Sequence, residues 1–139
     1  MKKQMKAERI FETVIYANDL AKAKRFYADV LNLNLIRESE LFLVFRLAQS
    51  VLLVFNPEIS RDNDRQVPSH GTVGDGHIAF TASEEEMDLW KNTFEKHGIE
   101  IEKWIDWQDG GKSLYVRDPA GNSVEFAPAT LWGGDWGFR

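Results

Sequence analysis

The chain has 139 residues, 43% hydrophobic and 28% charged, with a formal net charge of −5, proportions that fit one globular domain able to bury a sizeable core. It contains no cysteine, which excludes disulfides, thiolate catalysis, zinc ribbons and iron–sulfur clusters and leaves His, Asp and Glu to ligate any metal. There is no basic block, so nucleic acid is not an expected partner. The basic opening MKKQMKAERI is followed by no long apolar run, so neither a signal peptide nor a membrane span is expected, and the expected location is cytoplasmic.

Residues 11–16 read as a strand. Asn18 or Asp19 can cap a helix, and Leu20, Ala23, Phe26, Tyr27, Val30 and Leu31 recur at helical spacing, which predicts a helix near 19–31. Asn32 ends it, and Leu33 and Leu35 resume a β pattern. ELFLVFRL and SVLLVFNP read as further strands, and NPEISRDNDRQVPSHGTVGDG is a polar, turn-rich linker. HIAFT, residues 77–81, is the next strand. Ser83 and Glu86 have the spacing of a capping box, Met87, Trp90 and Phe94 share one helical face, and Gly98 is a stop, which predicts a helix near 84–97. IEKWIDW, SLYVRD and NSVEFAP follow as strands. The last two are joined by Asp118, Pro119, Ala120, Gly121 and Asn122, residues suited to a tight turn.

The second half repeats the first. Glu12 aligns with His77, Val14 with Ala79 and Asp19 with Glu84, while LVFRLAQSVLLVFNP lies over LYVRDPAGNSVEFAP without a gap. The predicted fold class is α+β: two tandem βαβββ units forming an open, cup-shaped mixed sheet with helices on the outer face. Unit one spans about 9–57, the linker 58–75, unit two about 76–128, and an aromatic tail 129–139. That tail is expected to pack on the domain, close the cup or cover a partner subunit.

Alternation along the strands places Glu12, Val14 and Tyr16 on one face, His77, Ala79 and Thr81 on another, and Ser123, Glu125 and Ala127 on a third. The opposite faces are apolar. If the sheet curves, Glu12, His77 and Glu125 meet. Two carboxylates and an imidazole balance a divalent cation, and three protein ligands leave a position open for water or substrate. The same residues also suit a wet sheet face and a hydrogen-bonded strand histidine.

ETVIYANDLAKAKRFYADVLNLNL, GDGHIAF and DPAGNSVEF resemble the opening, middle and closing motifs of the vicinal oxygen chelate superfamily, across residues 10–128. That superfamily includes glyoxalase I, bleomycin-resistance proteins, fosfomycin-resistance enzymes and extradiol dioxygenases. The resemblance implies paired βαβββ units around a metal or ligand site, and a homodimer. It places metal ligands at Glu12, where many members have His, at His77 and at Glu125. The fourth position is apolar here: Val54 by the ungapped repeat, or Leu53 if the first hairpin differs by one residue. This departs from the usual glyoxalase I.

Around these three ligands, Tyr16, Ser113, Tyr115 and Arg117 are candidate substrate contacts. Ser113 and Tyr115 also resemble a Ser-x-Tyr of the fosfomycin-resistance enzymes. His70 in the linker is a candidate acid–base group at the cup's mouth. Trp104 and Trp107 point to opposite faces, so one of them, taken as Trp107, lines the cavity.

The function expected is that of a glyoxalase-like, divalent-metal-dependent enzyme. It would act on a small oxygen-rich molecule by bidentate chelation and Lewis-acid activation, with lyase, isomerase, transferase and dioxygenase outcomes all compatible. The metal would be zinc, nickel, manganese or iron(II). Glu12 and Glu125 would be ligands, and one of them would also be the candidate base. The alternative is a metal-free protein that sequesters a drug or metabolite, as bleomycin-resistance proteins do. An acidic, aromatic-rich chain suits a cationic planar ligand.

Overall fold

The computed structural model describes residues 5–72, 75–133, 136 and 137. β1 (Glu12–Tyr16) leads into α1 (Leu20–Lys24), which widens into a π-helical stretch (Arg25–Val30). Asp19 caps α1 by accepting from the Lys22 amide at 3.1 Å. Asn32 ends the helix at φ 58°, a left-handed conformation that asparagine tolerates. β2 (Asn34–Glu38), β3 (Phe42–Arg46) and β4 (Val51–Phe55) complete the first unit, and a short α2 (Pro57–Ser60) opens the linker.

The plan then repeats as β5 (His77–Thr81), α3 (Glu84–Lys96), β6 (Lys103–Asp106), β7 (Lys112–Arg117) and β8 (Ser123–Ala127). The capping box at α3 is complete. The Ser83 hydroxyl accepts from the Glu86 amide at 3.2 Å, and the Glu86 carboxylate accepts from the Ser83 amide at 2.8 Å, worth about 1 kcal/mol of helix stability.

Each unit forms one mixed sheet, in the orders β1-β4-β3-β2 and β5-β8-β7-β6. This is the expected α+β fold of two tandem βαβββ units, built as two open four-stranded sheets. Glu12 and His77 each open the first strand of their unit, so the repeat places them at equivalent positions.

Register settles the fourth position. Val14 pairs with Leu53 in the first unit, and Ala79 pairs with Glu125 in the second. Leu53 is therefore the counterpart of Glu125, and the ungapped alignment to Val54 is off by one. The cause is loop length: residues 47–50 link β3 to β4, whereas residues 118–122 link β7 to β8, one residue more. A one-residue slip in a strand reverses the side-chain face, and Val54 accordingly points into the core, fully buried.

A single core holds both units. Ile15, Leu43, Phe45, Leu52 and Val54 of the first sheet join Leu114, Val116, Val124 and Phe126 of the second. Phe26 and Tyr27 from the first helix and Met87 and Phe94 from α3 belong to the same cluster. Polar contacts clamp the units together. The buried Tyr27 hydroxyl donates to Asp118 at 2.7 Å, and Asn122 Nδ2 donates to the Tyr16 carbonyl at 3.2 Å. Because both sheets turn their inner faces into one core, the faces bearing Glu12 and Glu125 look away from it.

Candidate functional site

β5 and β8 run parallel and in register, with His77 beside Ser123 and Ala79 beside Glu125. This brings the His77 ring over the Glu125 carboxylate, with Nε2 3.2 Å from Oε1. His77 Nδ1 lies 3.2 Å from the Ser123 carbonyl. A carbonyl and a carboxylate both only accept, so each ring nitrogen faces an acceptor, and with the ring proton on Nδ1 the Nε2 lone pair would face the carboxylate. Two lone-pair groups at this distance repel unless a proton or a cation lies between them.

The environment sharpens the requirement. The Glu125 side chain is 8% exposed while that of His77 is 52% exposed, so the carboxylate lies in the sheet and the imidazole leans over it from the open side. Glu125 Oε2 is buried without a hydrogen-bond partner, a costly arrangement for a carboxylate. Tyr115 stands opposite Glu125 on β7, its ring stacked on His77 at 6.3 Å and 23°. Partial burial, then hydrogen bonding to Glu125 and the charge of that carboxylate, push its phenol above the ordinary value.

This pair fits a divalent cation. Bonds of about 2.0–2.2 Å meeting at roughly tetrahedral or octahedral angles put donor atoms about 3.0–3.4 Å apart. A histidine anchored by its other nitrogen to a carbonyl is the usual outer support of a metal ligand. Glu12 is not part of the pair. It is exposed at the start of β1, and among the described residues no three His, Asp or Glu side chains of one chain gather closely enough for an ion. The convergence of Glu12 with His77 and Glu125 expected from sheet curvature is therefore not made within a single chain, because the core lies behind both faces.

The other candidates divide between the two sheets. Ser113 is fully buried on the Tyr115 face and accepts from Trp107 Nε1 at 2.7 Å. Trp104 pairs with Leu114 and so faces the other way, which matches the expected split of the two tryptophans. Arg117 shares the Ser123 register, but its guanidinium is engaged by Glu102 at 3.0 Å and by the Gly121 carbonyl at 2.9 Å. It braces the hairpin instead of reaching the pair.

Tyr16 and His70 meet on the first sheet, Oη to Nδ1 at 2.7 Å, with the His70 ring edge-on to Phe55 at 4.6 Å. The linker thus folds back over that sheet, and His70 sits with Glu12's face, not with the His77–Glu125 pair. In the tail, Leu131 packs against Gly110 and Thr130 bonds the Gly110 carbonyl, while Trp132 is 82% exposed. Residues 134, 135, 138 and 139 of the expected aromatic tail lie outside the described residues.

Two features escaped sequence reasoning. The Ser123 carbonyl that orients His77 is backbone and leaves no side-chain signal. Asp118 and Asn122, read only as turn residues, form a buried hub between the units. The proximity of an Asp to a following Asn in a tight turn is the signal that an Asx-type network could have given.

Residues 9–126 match the model of the Glyoxalase/Bleomycin resistance protein/Dioxygenase superfamily. The chain belongs to this superfamily. A lactoylglutathione lyase structure from Agrobacterium tumefaciens shares 39% identity at a TM-score of 0.87, covering 96% of this chain and 100% of that one. Metallothiol transferase FosB of Staphylococcus haemolyticus (strain JCSC1435) is 28% identical over 116 residues, 82% of this chain and 78% of its own. The fosfomycin resistance protein FosX from Listeria monocytogenes shares the fold at a TM-score of 0.69 and 20% identity, over 91% of this chain and 94% of that one. These superfamily relatives include a lyase and a transferase, which supports enzymatic activity in general terms, and metal binding is typical of the family. No helix among the described residues is long and apolar enough to cross a membrane.

Proposed function

We propose that this superfamily member is a divalent-metal-dependent, glyoxalase-like enzyme acting on a small molecule that offers two neighbouring oxygens. The observation that carries the reading is the His77–Glu125 pair: an imidazole nitrogen 3.2 Å from a buried carboxylate, with the second carboxylate oxygen unpartnered. His77 Nε2 and Glu125 Oε1 would hold the ion. Glu12 would complete the set from a second copy, since the faces bearing Glu12 and Glu125 both point outward from one chain. The homodimer is part of the proposal.

A bound zinc, nickel, manganese or iron(II) would supply Lewis acidity toward two substrate oxygens. The chain's own residues supply the setting. The Ser123 carbonyl would accept from His77 Nδ1 and so leave Nε2 free for the ion. Tyr115, with its phenol held protonated, presents a donor beside Glu125. Trp107, braced on Ser113, walls one side of the sheet face. Glu125 or Glu12 is the candidate base. Tyr16 and His70 would contact the substrate from the first unit's face.

The reading is tested by elemental analysis of protein purified without chelators, together with sedimentation in the presence and absence of metal. A site shared between copies predicts metal content near one ion per chain and a dimer that tightens with metal. A second reading, a metal-free sequestering protein, draws on the convergence of only two donors among the described residues of one chain. It predicts no bound metal and an association indifferent to it.

A further inference from the structure

We propose that the basic N-terminal arm of one copy seats in an acidic, aromatic groove on the second unit of another copy. This rests on the reading above, in which Glu12 of one copy meets His77 and Glu125 of its partner.

The groove, about 1210 Å³, lies between the start of α3 and the β6–β7 end of the second sheet, on the helix side and away from the His77–Glu125 face. Met87 and Trp104 give it an apolar floor and wall, and Glu84, Asp88 and Asp106 line it with carboxylates against Lys91 and Lys112. Trp104 remains 39% exposed. A tryptophan face flanked by carboxylates suits a segment that alternates cationic and apolar side chains.

The same sequence contains such a segment. Residues 1–11 carry Lys2, Lys3, Lys6 and Arg9 against Glu8, interleaved with Met5, Ile10 and Phe11. Met5, Ile10 and Phe11 are 91%, 77% and 70% exposed, and none of them lines the groove of its own chain. A basic-apolar arm, exposed over residues 5–11, and an exposed acidic-aromatic groove each find their complement in the other.

Continuity favours the second copy. The arm ends directly at Glu12, so a Glu12 delivered to the partner's His77 and Glu125 delivers the arm to the partner's second unit. The groove opens at Thr81 and Pro128, where β5 and β8 finish. From Glu125 to Ala127 is about 7 Å along the strand, and eleven residues reach up to roughly 35 Å.

The absence of cysteine makes the test direct. Met5→Cys and Lys91→Cys are made as separate chains, mixed, and treated with a short bis-maleimide. Sedimentation equilibrium compares the wild type with Lys6→Glu/Arg9→Glu and with that variant carrying Asp88→Lys as well. The expected result is a cross-link between the two chains, dimer dissociation weakened at least tenfold by Lys6→Glu/Arg9→Glu, and recovery of several-fold on adding Asp88→Lys. A cross-link formed within a chain carrying both cysteines, but not between chains, makes the chain's own arm the occupant and overturns the inference. So does a wild type that is monomeric, or a dimer constant unchanged within twofold. Metal stabilisation of the wild type, measured alongside, separates the two readings. If it is present while the arm variants are silent, the arm inference alone fails. If it is absent while the cross-link forms, the metal reading fails.

Discussion

Replacing Tyr27 by phenylalanine removes one hydrogen bond and leaves the packing of the ring in place. The ring is fully buried against Phe26 at 4.9 Å and Phe45 at 5.9 Å, contacts that phenylalanine retains. Its hydroxyl donates at 2.7 Å to Asp118, a carboxylate 4% exposed that also accepts from the Ala120 amide and from the Asn122 amide and side chain. A hydrogen bond to a charged group contributes about 1.5–3 kcal/mol. Three donors remain after the substitution, so the expected loss is near the lower part of that range, about 2 kcal/mol, or roughly 5–8 °C in Tm.

The same contact has a pH signature. Burial, and then the Asp118 charge and hydrogen bond, raise the Tyr27 phenol well above its ordinary 10.0. Above pH 10 the unfolded chain releases this proton while the folded chain keeps it. The unfolded state then binds fewer protons, and stability falls as pH rises. The phenylalanine variant lacks this component, so the gap between wild type and variant should shrink by about 1.4 kcal/mol between pH 8 and pH 11. Urea denaturation at the two pH values reads both quantities. A loss below about 0.5 kcal/mol at pH 8, or a gap that does not narrow with pH, would refute the claim that this bond joins the units.

Asn122→Ala should be more damaging, by about 2–4 kcal/mol in urea melts, because one side chain bonds the Gly76 amide, the Tyr16 carbonyl and Asp118. Gly121→Ala places a Cβ 2.9 Å from Asp75 Oδ1 at φ +93° and should cost about 1–2 kcal/mol by the same assay. Trp107→Phe removes the 2.7 Å bond to Ser113; it should lower ligand or substrate affinity more than stability, checked by comparing KM with Tm.

How much of this was legible in the sequence depends on whether local or long-range physics set it. Helix caps are local: Asp19, Ser83 and Glu86 announce themselves by spacing, and both helices and the strand alternation follow. The equivalence of Glu12 and His77 was legible because each opens a strand. The fourth position was ambiguous by one residue, since a turn longer by one cannot be told from a shifted alignment until the strands are paired. The pairing of His77 with Glu125 was legible from alternation, but the separation of Glu12 was not. Which way a sheet turns its polar face depends on how two units share a core, and that is a long-range matter: the apolar cluster joins both sheets, and the Tyr27–Asp118 and Asn122–Tyr16 contacts span 91 and 106 residues of chain.

The most direct test of the metal centre is the thermal shift of wild type and Glu125→Gln with added zinc, nickel, manganese or iron(II). Free metal at a hundredfold the dissociation constant should stabilise the wild type by about 2.7 kcal/mol. Stabilisation should fade as the pH is lowered, because metal binding releases protons from its ligands. Glu125→Gln keeps the shape and removes the charge, and should lose most of the shift. An equal response in both proteins, or none in either, would contradict a metal held by His77 and Glu125.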